Sequence, residues 1–168
     1  MLAFQIKDTK SFMQVLLMKE YFDHFLVEEA SITTFNTFHI NGRIMKDFYT
    51  SEELEEHPEK KEEFSAWADI RPIAFQLIKG KKTPLGFQFV FHLHRKAAQK
   101  LLAKEECTVP ENALKAFVLN IKYDGSRVTC ITGTALNTFL MDKSADVVWD
   151  QAMNQFLTKL NINFDTER

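Results

Sequence analysis

Two histidines stand nearest to chemistry in this chain. His92 and His94 lie two apart at the end of the alternating run LGFQFVFHLH, residues 85–94. Residues two apart on an extended strand project from one face. That makes His92 and His94 a two-ligand arrangement suited to zinc or iron, and the basis for a metal-dependent enzyme. A third ligand would have to come from His24, His39 or Glu28. A strand end is also where solvent-facing polar residues belong, so no metal or other cofactor is assigned.

Other catalytic patterns fall away on spacing. No Gly-x-Ser-x-Gly elbow is present, and Asp124-Gly125-Ser126 reads as a turn. Cys107 follows Glu105-Glu106, and neighbouring carboxylates oppose thiolate formation. Adjacent Glu28 and Glu29 face opposite ways on a regular strand and cannot act as a local pair. Gly80-Lys81-Lys82-Thr83 resembles the end of a phosphate loop, yet Phe75 stands where the first glycine belongs. The order there is helix to strand, the reverse of what a phosphate cradle needs. No catalytic residue is assigned, and the chain reads as a non-enzymatic binding or adaptor protein.

A basic surface remains. Lys96, Gln99, Lys100, Ala103 and Lys104 share one side of a helix predicted from Arg95 to Glu105, with Ala97, Ala98, Leu101 and Leu102 opposite. Lys79, Lys81 and Lys82 cluster just before the adjoining strand. Together with Arg95 these cations form a patch able to hold a nucleic acid or other polyanion in a clamp-like manner. Each neutralised phosphate would release counterions and make binding salt-sensitive. The acidic segment 52–63 could instead neutralise the patch within the fold or in a homo-oligomer, and a structural subunit of an oligomer is a further reading.

The elements that position these residues follow from pattern. Residues 2–7 read as a strand, and Asp8 or Thr9 caps a helix to about Glu20. Residues 25–40 read as extended, Asn41-Gly42 as a type I′ turn, and Arg43 to Tyr49 as the return strand. Thr50-Ser51-Glu52-Glu53 opens a charged helix broken near His57-Pro58. A second helix spans about Ser65 to Lys79, with Trp67, Ile70, Ala74, Leu77 and Ile78 as its stripe and Gly80 as its stop. After the strand at 85–94 and the basic helix come a strand from Leu114 to Lys122, the turn Asp124-Gly125, and its partner Arg127 to Thr134. Residues 135–141 could add a strand, and Ser144 starts a last helix with Val148, Ala152, Phe156 and Leu160 in register.

Composition bounds the class. The chain has 168 residues, 45% hydrophobic and 26% charged, enough for one domain (1–168) with a real core. Five Gly and four Pro exclude collagen-like and low-complexity chains. A formal charge of −2 advertises no global affinity for nucleic acid. Sixteen Phe are too many for surface platforms alone; Phe87, Phe89 and Phe91 alternate as one buried strand face requires. Cys107 and Cys130 make no disulfide framework, Met1 to Met18 does not read as a signal peptide, and no run approaches a membrane span. A cytoplasmic location and no membrane partner are expected.

Strand, helix, hairpin and helix recur in that order. Gln14–Glu20 echoes Gln99–Glu105, Asn41-Gly42 echoes Asp124-Gly125, and Trp67 echoes Trp149, at nearly constant offset. The expected fold is α+β: two strand–helix–hairpin–helix units, 2–79 and 85–161, related by a pseudo-two-fold, with a mainly antiparallel sheet packed with helices. Across its length, through IKDTKSFM (6–13), FDHFLVEEASITT (22–34), IRPIAFQLIKGKKTP (70–84) and YDGSRVTCITGT (123–134), the chain resembles a family of small uncharacterised bacterial proteins, which implies no activity. The paired units are also similar in architecture to a single DNA sliding-clamp domain, most in FVFHLHRKAAQKLLAKEE and FVLNIKYDGSRVTCITGT. The charged 50–65 insertion has no counterpart there, and no site residue is carried over.

Overall fold

Alternation decides where the core lies. A computed structural model describes all residues 1–168. In it Phe87, Phe89 and Phe91 are buried on one face of a strand, Gly86–His92. Successive rings of the three stack along it. Burying each such ring is worth about 1.5–3 kcal/mol. Trp67 crosses Phe89 and Phe91 at 5.0 Å, and its indole N–H donates to the Leu16 carbonyl, so one side chain ties two helices to the strand.

Eight strands form one antiparallel sheet: β1 (Ala3–Ile6), β2 (Leu26–Thr33), β3 (Thr37–Asn41), β4 (Ser65–Ala66), β5 (Gly86–His92), β6 (Leu114–Tyr123), β7 (Val128–Leu136) and β8 (Phe164–Glu167). Their order is β3-β2-β5-β6-β7-β1-β8, with β4 on the flank of β2. Helices α1 (Thr9–Met18), α3 (Trp67–Ile78) and α5 (Ser144–Lys159) bury their apolar stripes against the phenylalanine face. The short helices α2 (Ser51–Glu56) and α4 (Arg95–Leu102) have no fully buried residue. The opposite face, with Gln88, Val90, Val118, Asn120 and Thr129, is exposed or half-exposed. The fold is therefore α+β, as the pattern implies.

The capping and turn chemistry of several elements follows the sequence. Thr50 and Glu53 form a complete capping box, and His57-Pro58 ends α2. Gly80 (φ +132°) stops α3, and Gly125 (φ +97°) makes the β6–β7 turn. The Asn41-Gly42 turn is corrected. The hairpin closes at Thr34–Asn36, because the side chains of β2 pair in register from Thr33 with Thr37 back to Glu29 with Asn41. Gly42 is needed for another reason: a Cβ there would lie 1.7 Å from the Val27 carbonyl oxygen. The return strand from Arg43 is also absent. Arg43 makes one isolated bridge with Phe64, and a 3₁₀ turn, Lys46–Phe48, follows. Residues 43–64 thus leave the sheet as an excursion across the end of β5.

Both halves contribute to the one sheet, and the order strand, helix, hairpin, helix occurs twice. The placement of the leading strands differs. β5 pairs with β6 of its own hairpin, whereas β1 pairs with β7 of the other. The indoles differ too, with Trp149 donating to the strand carbonyl of Val118 and Trp67 to a helix carbonyl. A pseudo-two-fold relation is not established by these neighbours.

Candidate functional site

The two ends of the sheet carry the polar chemistry. At one end β2 turns into β3, β5 begins and β6 turns into β7. These three loops touch: the Leu85 N–H donates to the Thr33 carbonyl at 2.9 Å, and Phe87 pairs with Tyr123. The loops and the strand ends beside them expose Lys79, Lys81, Lys82, Lys122 and Arg127. None of the ion pairs in the molecule uses these five cations. The one carboxylate among them, Asp124, is spent locally. Backbone N–H groups of Arg127 and Ser126, and the Ser126 hydroxyl, donate to it and hold its pKa down at about 2. Phe35, 85% exposed, stands at the hairpin tip edge-on to Phe38, and Leu85 is exposed nearby. Further along the same end Lys7 is already paired with Asp165.

The seven cations read as one patch from the sequence fall into two groups. β5 separates them: seven residues at about 3.3 Å each put roughly 20 Å between Lys79, Lys81 and Lys82 before it and Arg95 and Lys96 after it. Helical spacing puts Lys96 and Lys100 together on the exposed side of α4, but adjacency in sequence across a strand is distance in space. Lys104 lies beyond α4, near the C-terminal turns of α5. Lys122 and Arg127, missing from that reading, join the first group through the register of β5 with β6.

The other end of the sheet is built differently. Strand β5 stops at His92, and His94 turns out to be the N-cap of α4, its Nδ1 accepting from the Lys96 N–H at 3.2 Å. The two imidazoles therefore do not share a strand face. His92 is buried, bonded through Nε2 to Glu28 Oε2 at 2.6 Å and edge-on to Phe64 at 5.1 Å. His94 faces Glu62 at 3.8 Å. Neither His24 nor His39 joins them, and no three His, Cys, Asp or Glu side chains converge to hold a metal ion. Glu28 reaches His92 because of a β-bulge between Val27 and Glu29. With Val27 and Ala30 both buried, Glu28 and Glu29 both face out, which corrects their placement on opposite faces. Alternation alone carries no sign of a bulge.

Between the excursion, the end of β5 and α4 opens a cleft of 640 Å³. A second bulge, between Leu114 and Ala116, lies on its rim and carries Lys115. Arg43 pairs with Glu63 at 3.0 Å, and the Gln99 amide donates to Glu111 at 2.7 Å. Cys130 is fully buried among apolar side chains, which pushes its thiol pKa far up and leaves it inert. No helix is long and apolar enough to cross a membrane.

Compared with known families, residues 15–165 match the model of a family of unknown function (DUF5721), and the chain belongs to that family. No curated protein and no solved structure matches, so the resemblance to a sliding-clamp domain stands without support.

Proposed function

We propose that this member of the family is a non-enzymatic binding protein that holds a polyanion, such as a nucleic acid strand, on the basic loop end of its sheet. One observation carries the reading: Lys79, Lys81, Lys82, Lys122 and Arg127 crowd one end of a net-acidic protein without ion-pair partners. Exposed Phe35 supplies a face on which a base can stack. Unpaired cations beside an exposed aromatic suit a flexible anionic chain better than a compact anion. The two free thiols, Cys107 and Cys130, accord with a reducing, cytoplasmic setting.

The test is fluorescence anisotropy with a labelled single-stranded oligonucleotide across a salt series. With four phosphates contacted, the log–log salt slope should be about −3. The double change Lys81→Glu, Lys82→Glu should flatten it, while Lys96→Glu, Lys100→Glu on α4 should leave it intact. Because Lys81 and Lys82 are exposed and unpaired, their reversal should move stability by no more than about 0.5 kcal/mol. Absence of binding at low salt overturns the proposal. So does salt-sensitive self-association that Lys81→Glu, Lys82→Glu abolishes, because the basic end would then be serving the acidic 52–63 segment of a second copy.

A further inference from the structure

The cleft at the far end of β5 has a charge balance of its own, independent of the polyanion reading. Its volume, 640 Å³, lies in the range that small ligands occupy. Of its four carboxylates, Glu63 is paired with Arg43, Glu111 accepts from the Gln99 amide and Glu62 lies 3.8 Å from His94. Of its five cations, only Arg43 is in an ion pair. Lys46 and Lys61 on the excursion wall, and Arg95 and Lys115 on the opposite wall, have neither an ion pair nor a side-chain hydrogen bond, and Asp47 is the one uncommitted carboxylate facing them. Nine of the twenty lining residues are hydrophobic; among them Leu26 on β2 and Ala98 and Leu102 on α4 are side chains against which a ligand body would rest.

Five cations against four carboxylates give the lining a formal charge of +1, and unpaired cations on two walls beside apolar side chains select for a particular shape of molecule. A free inorganic anion would satisfy the cations and leave the apolar lining wet, and a neutral apolar ligand would bury the cations unpaired. We infer that the cleft binds a small organic anion: one carboxylate or phosphate head between the cationic walls and an apolar body against Leu26, Ala98 and Leu102. The bulge at Lys115 serves this arrangement, since an extra residue in β6 re-aims a side chain at the rim of the sheet.

The probe is 8-anilinonaphthalene-1-sulfonate, an aromatic body with one anionic head, titrated against the full chain by fluorescence. Saturable enhancement is expected, displaced by decanoate or by phenyl phosphate; which of the two competes identifies the head group. Arg95→Gln and Lys115→Gln should each weaken binding by about tenfold, the loss of one charge-assisted hydrogen bond. Ala98→Trp, which fills the cleft, should abolish the enhancement, whereas Lys81→Glu, Lys82→Glu should leave it unchanged. The two glutamine substitutions are exposed and keep the fold testable if the tryptophan does not. Equal dye affinity in wild type, Arg95→Gln and Lys115→Gln, or failure of both competitors to displace the dye, would overturn the assignment.

Discussion

The two ends of the sheet solve opposite problems with the same strands. At the loop end, tight turns leave the cations bare: Asp124 spends its carboxylate on its own backbone and Lys79, Lys81 and Lys82 find no partner. At the other end, two β-bulges and a 22-residue excursion (43–64) cover the strand terminus and engage the polar groups at its root, His92 with Glu28, His94 with Glu62 and Arg43 with Glu63, while Lys46, Lys61, Arg95 and Lys115 stay free on the cleft walls. Pairing costs side-chain freedom and gives little net stability at exposed sites. A surface that leaves cations free is therefore no poorer in stability for it, and is available to an anion. The bulged end spends part of its polar groups on holding the excursion in place and keeps its free cations inside a cleft.

The largest expected effect comes from a glycine at each end. Gly42→Ala would place a Cβ 1.7 Å from the Val27 oxygen, backbone against backbone, so the excursion's root must move. A loss of about 3 kcal/mol or more is expected in denaturant titration. Gly125→Ala meets only the Leu85 oxygen at 3.0 Å and a positive φ of 97°, worth about 1–2 kcal/mol. Equal costs would mean that the two ends are equally adaptable, and the contrast would collapse.

Which of these features could be read from residues alone follows from how local each one is. The Phe87, Phe89 and Phe91 face, the capping box at Thr50–Glu53 and the Asp124-Gly125 turn are set by neighbours two or three positions away, and they stand where the pattern puts them. Gly42 was misread because its need for no side chain comes from Val27, fifteen residues back in the chain and brought close by the β2–β3 register. The pairing of His92 with Glu28 depends on a bulge that strict alternation does not contain. The basic group at the loop end was half visible, as Lys79, Lys81 and Lys82; Lys122 and Arg127 enter only through the pairing of β5 with β6. Family membership was legible over the whole length and carries no activity with it.

A middle-sized effect tests whether the bulged end owes its order to paired polar groups. His92 is 91% buried, and its Nε2–H donates to the Glu28 carboxylate. Removing that partner in Glu28→Ala leaves a buried ring nitrogen unsatisfied, at a cost of about 1–2 kcal/mol, since Glu28 itself is half exposed. Hydrogen exchange should localise the loosening to residues 43–64 and the end of β5, leaving the 122–128 turn as protected as before. Loosening that appears equally at both ends would show that the sheet transmits the change and that the two regions are not separate devices.

The smallest effect is at the loop end and is read against pH. The Asp124 carboxyl has its pKa lowered from 3.8 to about 2 by N–H donors of Arg127 and Ser126. Its folded value lies below its unfolded one, so the charged turn contributes stability that is complete above the unfolded pKa and lost as pH falls through the folded one. In Asp124→Asn the amide oxygen can still accept from those donors, but it does not titrate. The difference in thermal midpoint between wild type and variant should therefore be constant above pH 5 or so and change only between pH 4 and 2, about where the two pKa values lie. Asp8, lowered by the Ser11 hydroxyl and N–H, and Asp142, lowered by the Thr108 hydroxyl and the Ser144 N–H, titrate in both proteins, so the difference curve isolates the turn. Parallel curves across that window would mean that the turn does not hold the charged form of Asp124, and the loop end would then lose the reason the carboxylate of its tight turn is unavailable to the surrounding cations.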